Sequence, residues 1–286
     1  MEKGRGRRLI EFIGIAAAGL ALAAATVLVV RPSLYRRLAG LITGTPPVSS
    51  LNVMPDRSKF PVRGIDVSHH NGDIDFMRVA ADTIDFVYIK TTEGVDHTDP
   101  RYLANYESAR KAGLVIGFYH FFRFDRGGVR QGRNFLTAIR GLESRLPLVI
   151  DFETGGNPEG LDYYLIVGRL RDLSSYLVRH GHRVMIYCNP KDYEQYIRGN
   201  FDDFDLWLAT EREPGDGDPR KLWQHSHIGK IAGIDKAVDI NTFNGTRDEF
   251  RQWLDIPAPI PVSEPQGLTP ASPPVRRDST DTIFTQ

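Results

Sequence analysis

The sequence predicts an α/β fold in which a largely parallel β-sheet closes into a barrel. Short apolar runs alternate with segments of helical periodicity, a pattern typical of a parallel sheet that is covered by helices. Eight such runs occur, and eight strands are enough to close a barrel. An open doubly wound sheet is the alternative, although no glycine-rich phosphate loop follows the first predicted strand.

The predicted elements follow in order along residues 61–255. The last three strands leave no room for full helices between them, so the barrel is expected to be irregular at its end. The predicted strands are VRGIDVS, FVYIKTT, LVIGFYHFF, LPLVIDFE, RVMIYCN, DLWLAT, KLWQHS and AVDIN, and the predicted helices lie near residues 74–81, 101–112, 128–141, 161–180 and 190–197.

The N-terminal segment predicts a membrane anchor. Residues 9–30 are apolar apart from Glu11, Thr26 and small residues, which is long enough for a transmembrane helix. Basic residues before this segment favour a cytoplasmic stub and anchor over residues 1–31, with the remainder outside the cytoplasm, although further arginines follow it. A cleaved signal peptide is the alternative, because residues 23–25 are alanines, and the protein would then be secreted.

The segments that flank the predicted barrel are rich in proline. Residues 32–60 are predicted to be a linker, and residues 256–286 a disordered tail without apolar periodicity. The folded domain is therefore predicted to span residues 61–255.

Charge and cysteine content exclude several classes of protein. The 36 lysines and arginines balance the 36 aspartates and glutamates, so no global field would draw the chain onto nucleic acid. The single cysteine, Cys188, excludes an intramolecular disulfide framework and a CxxC metal cluster. Its apolar surroundings favour a buried thiol over a nucleophile.

Polar residues cluster at the end of every predicted strand. In parallel barrels the carboxyl ends of the strands form the active-site face, so this clustering predicts one polar cleft. Taken singly each residue has a structural interpretation, such as a turn cap for Asp66 or a satisfied core histidine for His120. The set comprises Asp66 and Ser68, Lys90 and Glu93, Tyr119 and His120, Asp151 and Glu153, Tyr187 and Asn189, Thr210 and Glu211, Gln224 and His225, and Asp239 and Asn241.

The acidic members of this set favour proton chemistry over a metal site. No calcium-type loop is present, and the histidines lack the spacing of a zinc site, so neither metal nor cofactor is expected. Carboxylates at close range raise the pKa of one member, which is the requirement for a general acid in glycoside cleavage. Asp151 and Glu153 are two residues apart and are therefore predicted to point to the same side of their strand, into the barrel mouth.

Aromatic residues near the strand ends have two interpretations. They could stack on sugar rings, or they could be ordinary core residues. They are Tyr88, Tyr119, Phe122, Tyr187, Trp207 and Trp223.

Eight motifs, in order over residues 62–250, resemble those of glycoside hydrolase family 25, the Chalaropsis-type lysozymes or N-acetylmuramidases. The motifs are GIDVSHHNGDIDF, YIKTTEG, GFYHFF, PLVIDFE, IYCN, LWLA, LWQHS and VDIN. The resemblance implies an irregular (β/α)5(β)3 barrel of the TIM type. It also implies hydrolysis of the β-1,4 bond between N-acetylmuramic acid and N-acetylglucosamine in peptidoglycan.

The resemblance also implies roles for particular residues. Glu153 matches the family's general acid, and Asp66, Asp151 and Asp239 match its other three acidic residues. The family is described as retaining, and either Asp151 or Asp239 could act directly or orient the substrate acetamido group. We favour assistance by that group, oriented by Asp151. Substrate contacts are expected from Lys90, Glu93, Tyr119, His120, Tyr187, Trp207, Trp223 and Gln224.

Two alternatives to a muramidase stay open at this point. One is a non-catalytic module that binds peptidoglycan as a scaffold, and the other is a chitinase-like hydrolase with a similar D-x-E strand end. The expected partners are glycan strands of peptidoglycan and, through the N-terminal helix, a membrane. The chain is expected to be a monomer.

Overall fold

The computed structural model describes residues 52–261. These residues fold into nine strands and six α-helices. The strands are β1 (Arg63–Val67), β2 (Phe86–Glu93), β3 (His97–Thr98), β4 (Val115–Phe121), β5 (Leu148–Asp151), β6 (Val184–Cys188), β7 (Asp205–Ala209), β8 (Arg220–Gly229) and β9 (Val238–Phe243). The helices are α1 (Phe76–Ala81), α2 (Tyr102–Lys111), α3 (Gly128–Ala138), α4 (Tyr163–Arg179), α5 (Pro190–Asp192), which continues as a π-turn at Tyr193–Ile197, and α6 (Arg247–Leu254).

Eight of the strands close into a barrel. Their order is β1-β9-β8-β7-β6-β5-β4-β2, and β2 pairs with β1 to complete the circle. The short strand β3 only extends the edge of β2. Helices follow the first five barrel strands and are missing between the last three, so the described residues form the expected irregular barrel.

One strand departs from the expected parallel order. β9 runs antiparallel to both of its neighbours, β8 and β1. The connection 230–237 between β8 and β9 is too short for the crossover helix that usually joins parallel strands, whereas antiparallel strands need only a short loop. The direction of β9 decides where the acidic residue near its start lies.

Side chains alternate between two cores along each barrel strand. Ile65, Val87 and Ile150 face outward and pack against the helices. Phe86 and Tyr88 face inward and fill the closed end of the barrel. Glycines at positions 64 and 117 make room for these two rings, because a Cβ atom there would collide with them. The inward-facing residues at the closed end of the barrel are therefore apolar, and the inward-facing polar residues lie at the opposite, open end.

The termini of the barrel differ from the predicted boundaries. Helix α6 was not among the predicted helices, and it begins with a capping box between Thr246 and Glu249. At the N-terminus, Asn52 bridges to Ser226, so the end of the predicted linker already lies on the barrel.

The predicted anchor and most of the predicted linker and tail fall in residues 1–51 and 262–286, outside the described residues. Within residues 52–261 no helix is long and apolar enough to cross a membrane.

Candidate active site

Four carboxylates meet at the open end of the barrel and line one cleft. Asp66 lies on β1, Asp151 ends β5, Glu153 follows two residues later, and Asp239 is the second residue of β9. Among the predicted substrate-binding residues, five line the same cleft: Lys90, Tyr119, Tyr187, Trp207 and Gln224. Sequence analysis therefore identified most of the polar wall of this cleft.

Asp239 reaches the cleft by a different route from the other three acids. It lies near the amino end of its strand, not the carboxyl end as the sequence pattern suggested. Because β9 is antiparallel to β1, its amino end lies at the open face, and Asp239 is directly opposite Asp66 in the strand register. Asp239 therefore lies at the open face of the barrel, as expected, but only because β9 runs in the reverse direction.

Two amide side chains hold Asp66 in place. Gln224 Nε2 and Asn241 Nδ2 both donate to Asp66 Oδ2, at 3.0 Å and 2.7 Å. The amides are oriented in turn by ring groups: Tyr187 Oη donates to Gln224 Oε1 at 2.7 Å, and Trp207 Nε1 donates to Asn241 Oδ1 at 3.0 Å. Since each amide oxygen is occupied by a donor, each amide must present its NH2 group to Asp66.

The environment of Asp66 favours its neutral form. Burial raises the pKa of Asp66 to about 8, and the charge of Asp239 adds to the rise, while the two amide donors oppose it. Near neutral pH the carboxylic acid can therefore donate a hydrogen bond into the cleft.

Asp151 and Glu153 form an acidic pair on one side of their chain segment. Phe152 between them is fully buried and packs against Phe122 and Phe124 on the outer side, which fixes both carboxyl groups toward the cleft. Burial raises the pKa of Asp151 well above its usual value, and the charge of Glu153 raises it further. Burial also raises the pKa of Glu153, while Tyr187 and His227 limit that rise. The pair therefore retains a proton at higher pH than free carboxyl groups do.

One fully buried oxygen of this pair has no hydrogen-bond partner among the described residues. Asp151 Oδ1 is buried and makes no hydrogen bond to any group in residues 52–261. A buried acceptor without a donor is costly, so this oxygen is poised to accept a hydrogen bond from a ligand in the cleft.

His227 is a cleft residue that the sequence analysis missed. Its Nδ1 lies 2.9 Å from Asp239 Oδ1, and because a carboxylate only accepts, the histidine donates. This hydrogen bond raises the pKa of His227. Side-chain alternation from the inward-facing Gln224 predicts that His227 faces outward, and the register shift of β8 after Gln224, which the sequence does not show, reverses this.

Three of the predicted substrate-binding residues do not line the cleft. His120 is buried on the helix side of β4, where Nε2 contacts Gln131 and Nδ1 contacts Thr92. Trp223 is buried on the outer face of β8, and its Nε1 donates to Thr210 O. Glu93 lies beside the cleft, 3.0 Å from the Lys90 ammonium. For His120 and Trp223 the sequence expectation of a cleft position is corrected.

The remaining chemistry-bearing groups do not point to a metal or a thiol mechanism. Within the described residues no group of three or more His, Cys, Asp or Glu side chains is arranged to hold a metal ion. Cys188 is buried on the outer side of β6, and burial raises the pKa of its thiol. The arrangement that remains is a polar cleft suited to acid and base chemistry.

Comparison with known proteins agrees with this geometry. The family model described as "Glycosyl hydrolases family 25" matches residues 65–234. An uncharacterised protein, YegX, of Escherichia coli O6:H1 is 32% identical over 220 residues, which are 74% of this chain and 80% of YegX. The autolytic lysozyme of Clostridium acetobutylicum is 29% identical over 208 residues, 72% of this chain and 61% of that protein.

A solved structure supports the same assignment. The structure of a family 25 glycosyl hydrolase from Bacillus anthracis aligns with a TM-score of 0.65 at 29% identity, covering 71% of this chain and 96% of the other. The matched family model, these relatives and the four-carboxylate cleft lead to one conclusion: the chain belongs to glycosyl hydrolase family 25 and is a glycoside hydrolase.

Proposed function

We propose that this chain is a peptidoglycan muramidase that hydrolyses the β-1,4 bond between N-acetylmuramic acid and N-acetylglucosamine with retention of configuration. The observation that carries the proposal is the half-buried pair Asp151 and Glu153, which faces the cleft and whose pKa values are both raised. Support comes from relatives that are named as lysozymes, such as the protein from Clostridium acetobutylicum.

In this proposal Glu153 is the proton donor. Its proton passes to the glycosidic oxygen as the bond between that oxygen and the anomeric carbon breaks. Burial supports this role, because it raises the pKa of Glu153 and thereby favours the protonated form that can donate. Once deprotonated, the same carboxylate takes a proton from the water that completes hydrolysis.

Asp151 is the partner that orients the substrate acetamido group. The proposal places the proton of the pair on Glu153 when substrate is bound, so that Asp151 is a carboxylate whose unpartnered Oδ1 accepts the acetamido N–H. The acetamido oxygen then attacks the anomeric carbon to form a cyclic intermediate. Water opens this intermediate from the opposite face, and two inversions give net retention.

Asp66 and Asp239 have supporting roles in the same proposal. Asp66, neutral near pH 7, donates a hydrogen bond to a sugar oxygen. The carboxyl group of Asp239, held by His227, lies beside the anomeric carbon and stabilises the positive charge that develops there.

The substitution Glu153→Gln tests the assignment of the proton donor. We expect the release of reducing ends from purified peptidoglycan to fall by about 10²- to 10⁴-fold, the usual contribution of a general acid. Glu159→Gln is the matched control, because Glu159 is exposed and lies on the same loop. A Glu153→Gln protein as active as wild type would contradict the assignment. Cleavage of chitin oligomers with none of peptidoglycan would contradict the proposed substrate.

We also propose that the full-length chain is tethered to a membrane with its barrel outside the cytoplasm. The support is the apolar stretch at residues 9–30 and the basic residues that precede it. Fractionation of cells that express the full chain is expected to place it with membranes, and removal of residues 1–31 is expected to release it. Recovery of a soluble protein that lacks its first 25 residues would instead show a cleaved signal peptide.

A further inference from the structure

Asp192 is a fully buried carboxylate behind the segment that carries Glu153. It lies at the end of α5 and has no exposed surface. Its Oδ2 atom accepts from the backbone N–H of Thr154 at 2.9 Å and from the Thr154 hydroxyl at 3.3 Å. Thr154 directly follows Glu153, so the hydrogen bonds to Asp192 hold the backbone next to the proposed proton donor.

The local sequence holds Asp192 rigidly in this position. Asn189 caps α5: its Oδ1 accepts from the backbone N–H of Asp192 at 2.9 Å, and its Nδ2 donates to Asp192 Oδ2 at 2.7 Å. Pro190 at the first helical position fixes the backbone between them. The reciprocal bonds leave Asp192 no freedom to turn away from Thr154.

The hydrogen bonds fit a charged Asp192. All three of its partners are donors, and they converge on one oxygen, as expected for an acceptor-only carboxylate. The other oxygen, Oδ1, is buried with no partner in the described residues. No lysine, arginine or histidine of residues 52–261 forms an ion pair with it.

We propose that Asp192 is a positioning residue for the proton donor: it fixes the backbone at Thr154 and places a buried negative charge behind Glu153. The inference rests on the proposed role of Glu153 and adds a residue that does not line the cleft. If this is so, Glu153 binds its proton more tightly than it would under the influence of the cleft residues alone.

The groups around Glu153 act in opposite directions. After burial, the largest cause of its raised pKa, the charges of Asp192 on α5 and Asp239 on β9 raise that pKa. Tyr187 on β6 and His227 on β8 lower it. The charge of Glu153 in turn raises the pKa of Asp151, which lies two residues before it at the end of β5. Asp192 is the one acid of this set that reaches Glu153 from outside the cleft, so its charge can be removed without altering the sugar-binding surface.

The test is to titrate Glu153 directly in the full-length chain. In protein labelled with ¹³C at the glutamate side-chain carboxyl, the signal that disappears in Glu153→Gln belongs to Glu153. In Asp192→Asn the amide oxygen can accept the same three hydrogen bonds, but the charge is gone. We expect the pKa of Glu153 to fall by about one unit, the usual spread of carboxyl pKa values in folded proteins. The basic limb of the pH–rate profile is expected to move down by the same amount.

Two further variants separate charge from structure. Asp99→Asn is the matched control. Asp99 is also fully buried, and its Oδ2 atom accepts hydrogen bonds from the backbone and the ring of His69, not from the segment that carries Glu153. Thr154→Val removes one bond to Asp192 and keeps its charge. Neither is expected to move the pKa of Glu153 by more than about 0.3 units, well within the ordinary spread for carboxyl groups.

The possible outcomes separate this inference from the proposed function. An unchanged pKa of Glu153 in Asp192→Asn overturns the inference, and so does a fall of equal size in Thr154→Val. If Glu153→Gln keeps full activity, the proposed function fails, yet the titration still decides whether Asp192 controls the proton on Glu153.

Discussion

At the scale of single residues, the unusual feature of this site is an aspartate that binds a proton in the folded protein. Burial and the facing charge of Asp239 raise the pKa of Asp66 to about 8. An aspartate in the unfolded chain titrates near 3.9. Between these two pH values the folded state holds a proton that the unfolded state releases, so the free energy of unfolding falls as the pH rises.

The substitution Asp66→Asn is expected to remove this pH dependence. An asparagine oxygen can accept from Gln224 and Asn241 as the carboxyl oxygen does, and no charge forms opposite Asp239. The stability of Asp66→Asn relative to wild type is therefore expected to be higher at pH 8.5 than at pH 5, measured by urea unfolding.

Asp235→Asn, at an exposed position in the connection 230–237, is the control for a general effect of removing one negative charge. If the stability difference between Asp66→Asn and wild type were the same at both pH values, Asp66 would not bind its proton in the folded state.

At the scale of elements, the strand alternation explains both what the sequence predicted well and what it did not. Asp151 and Glu153 are two apart and were correctly expected on one face. Tyr119 and His120 are neighbours, as are Trp223 and Gln224, so one strand cannot point both members of either pair into the barrel. Tyr119 and Gln224 face the cleft, and His120 and Trp223 face outward. Strict use of this rule would have removed two residues from the predicted cleft.

Other features of the site depend on contacts between distant segments and could not be predicted from local patterns. The position of Asp239 opposite Asp66 follows from the pairing of β9 with β1, which is far from it in the sequence. The position of His227 depends on irregular pairing between β8 and β9. Asp192 looks like an ordinary residue of a short helix until the fold places it against Thr154.

The family resemblance implied the irregular barrel and the four acids, because the matching motifs include these acids. It carried less information about the residues that support the site from outside the cleft. The amides that hold Asp66 were visible as polar strand ends, but their bonds to Tyr187 and Trp207 join four different strands and became visible only in the fold.

At the scale of the whole molecule, no helix of residues 52–261 lies between the last three strands of the barrel. The segment that precedes β1 packs there against β8. The backbone N–H of Val53 donates to His225 O at 2.7 Å, and the His225 ring donates back to Val53 O at 2.7 Å. Phe60 is buried against Trp223, with ring centroids 5.8 Å apart. The folded unit therefore includes residues 52–60, which the sequence assigned to the linker.

This packing predicts that the end of the linker contributes to stability. Phe60 is only 2% exposed, so Phe60→Ala would leave a cavity over the outer face of β8, and such losses cost about 3–5 kcal/mol. We expect a decrease of this size in the free energy of unfolding, measured by urea denaturation of the full-length chain.

Met54→Ala is the control for this measurement, because Met54 lies in the same segment with 87% of its surface exposed. Exposed substitutions usually change stability by less than about 0.5 kcal/mol. If Phe60→Ala and Met54→Ala were equally stable, residues 52–60 would be a passive tether. A large loss in Phe60→Ala alone would mean that a shortened chain must include Phe60 to keep the barrel, and with it the geometry of the cleft, intact.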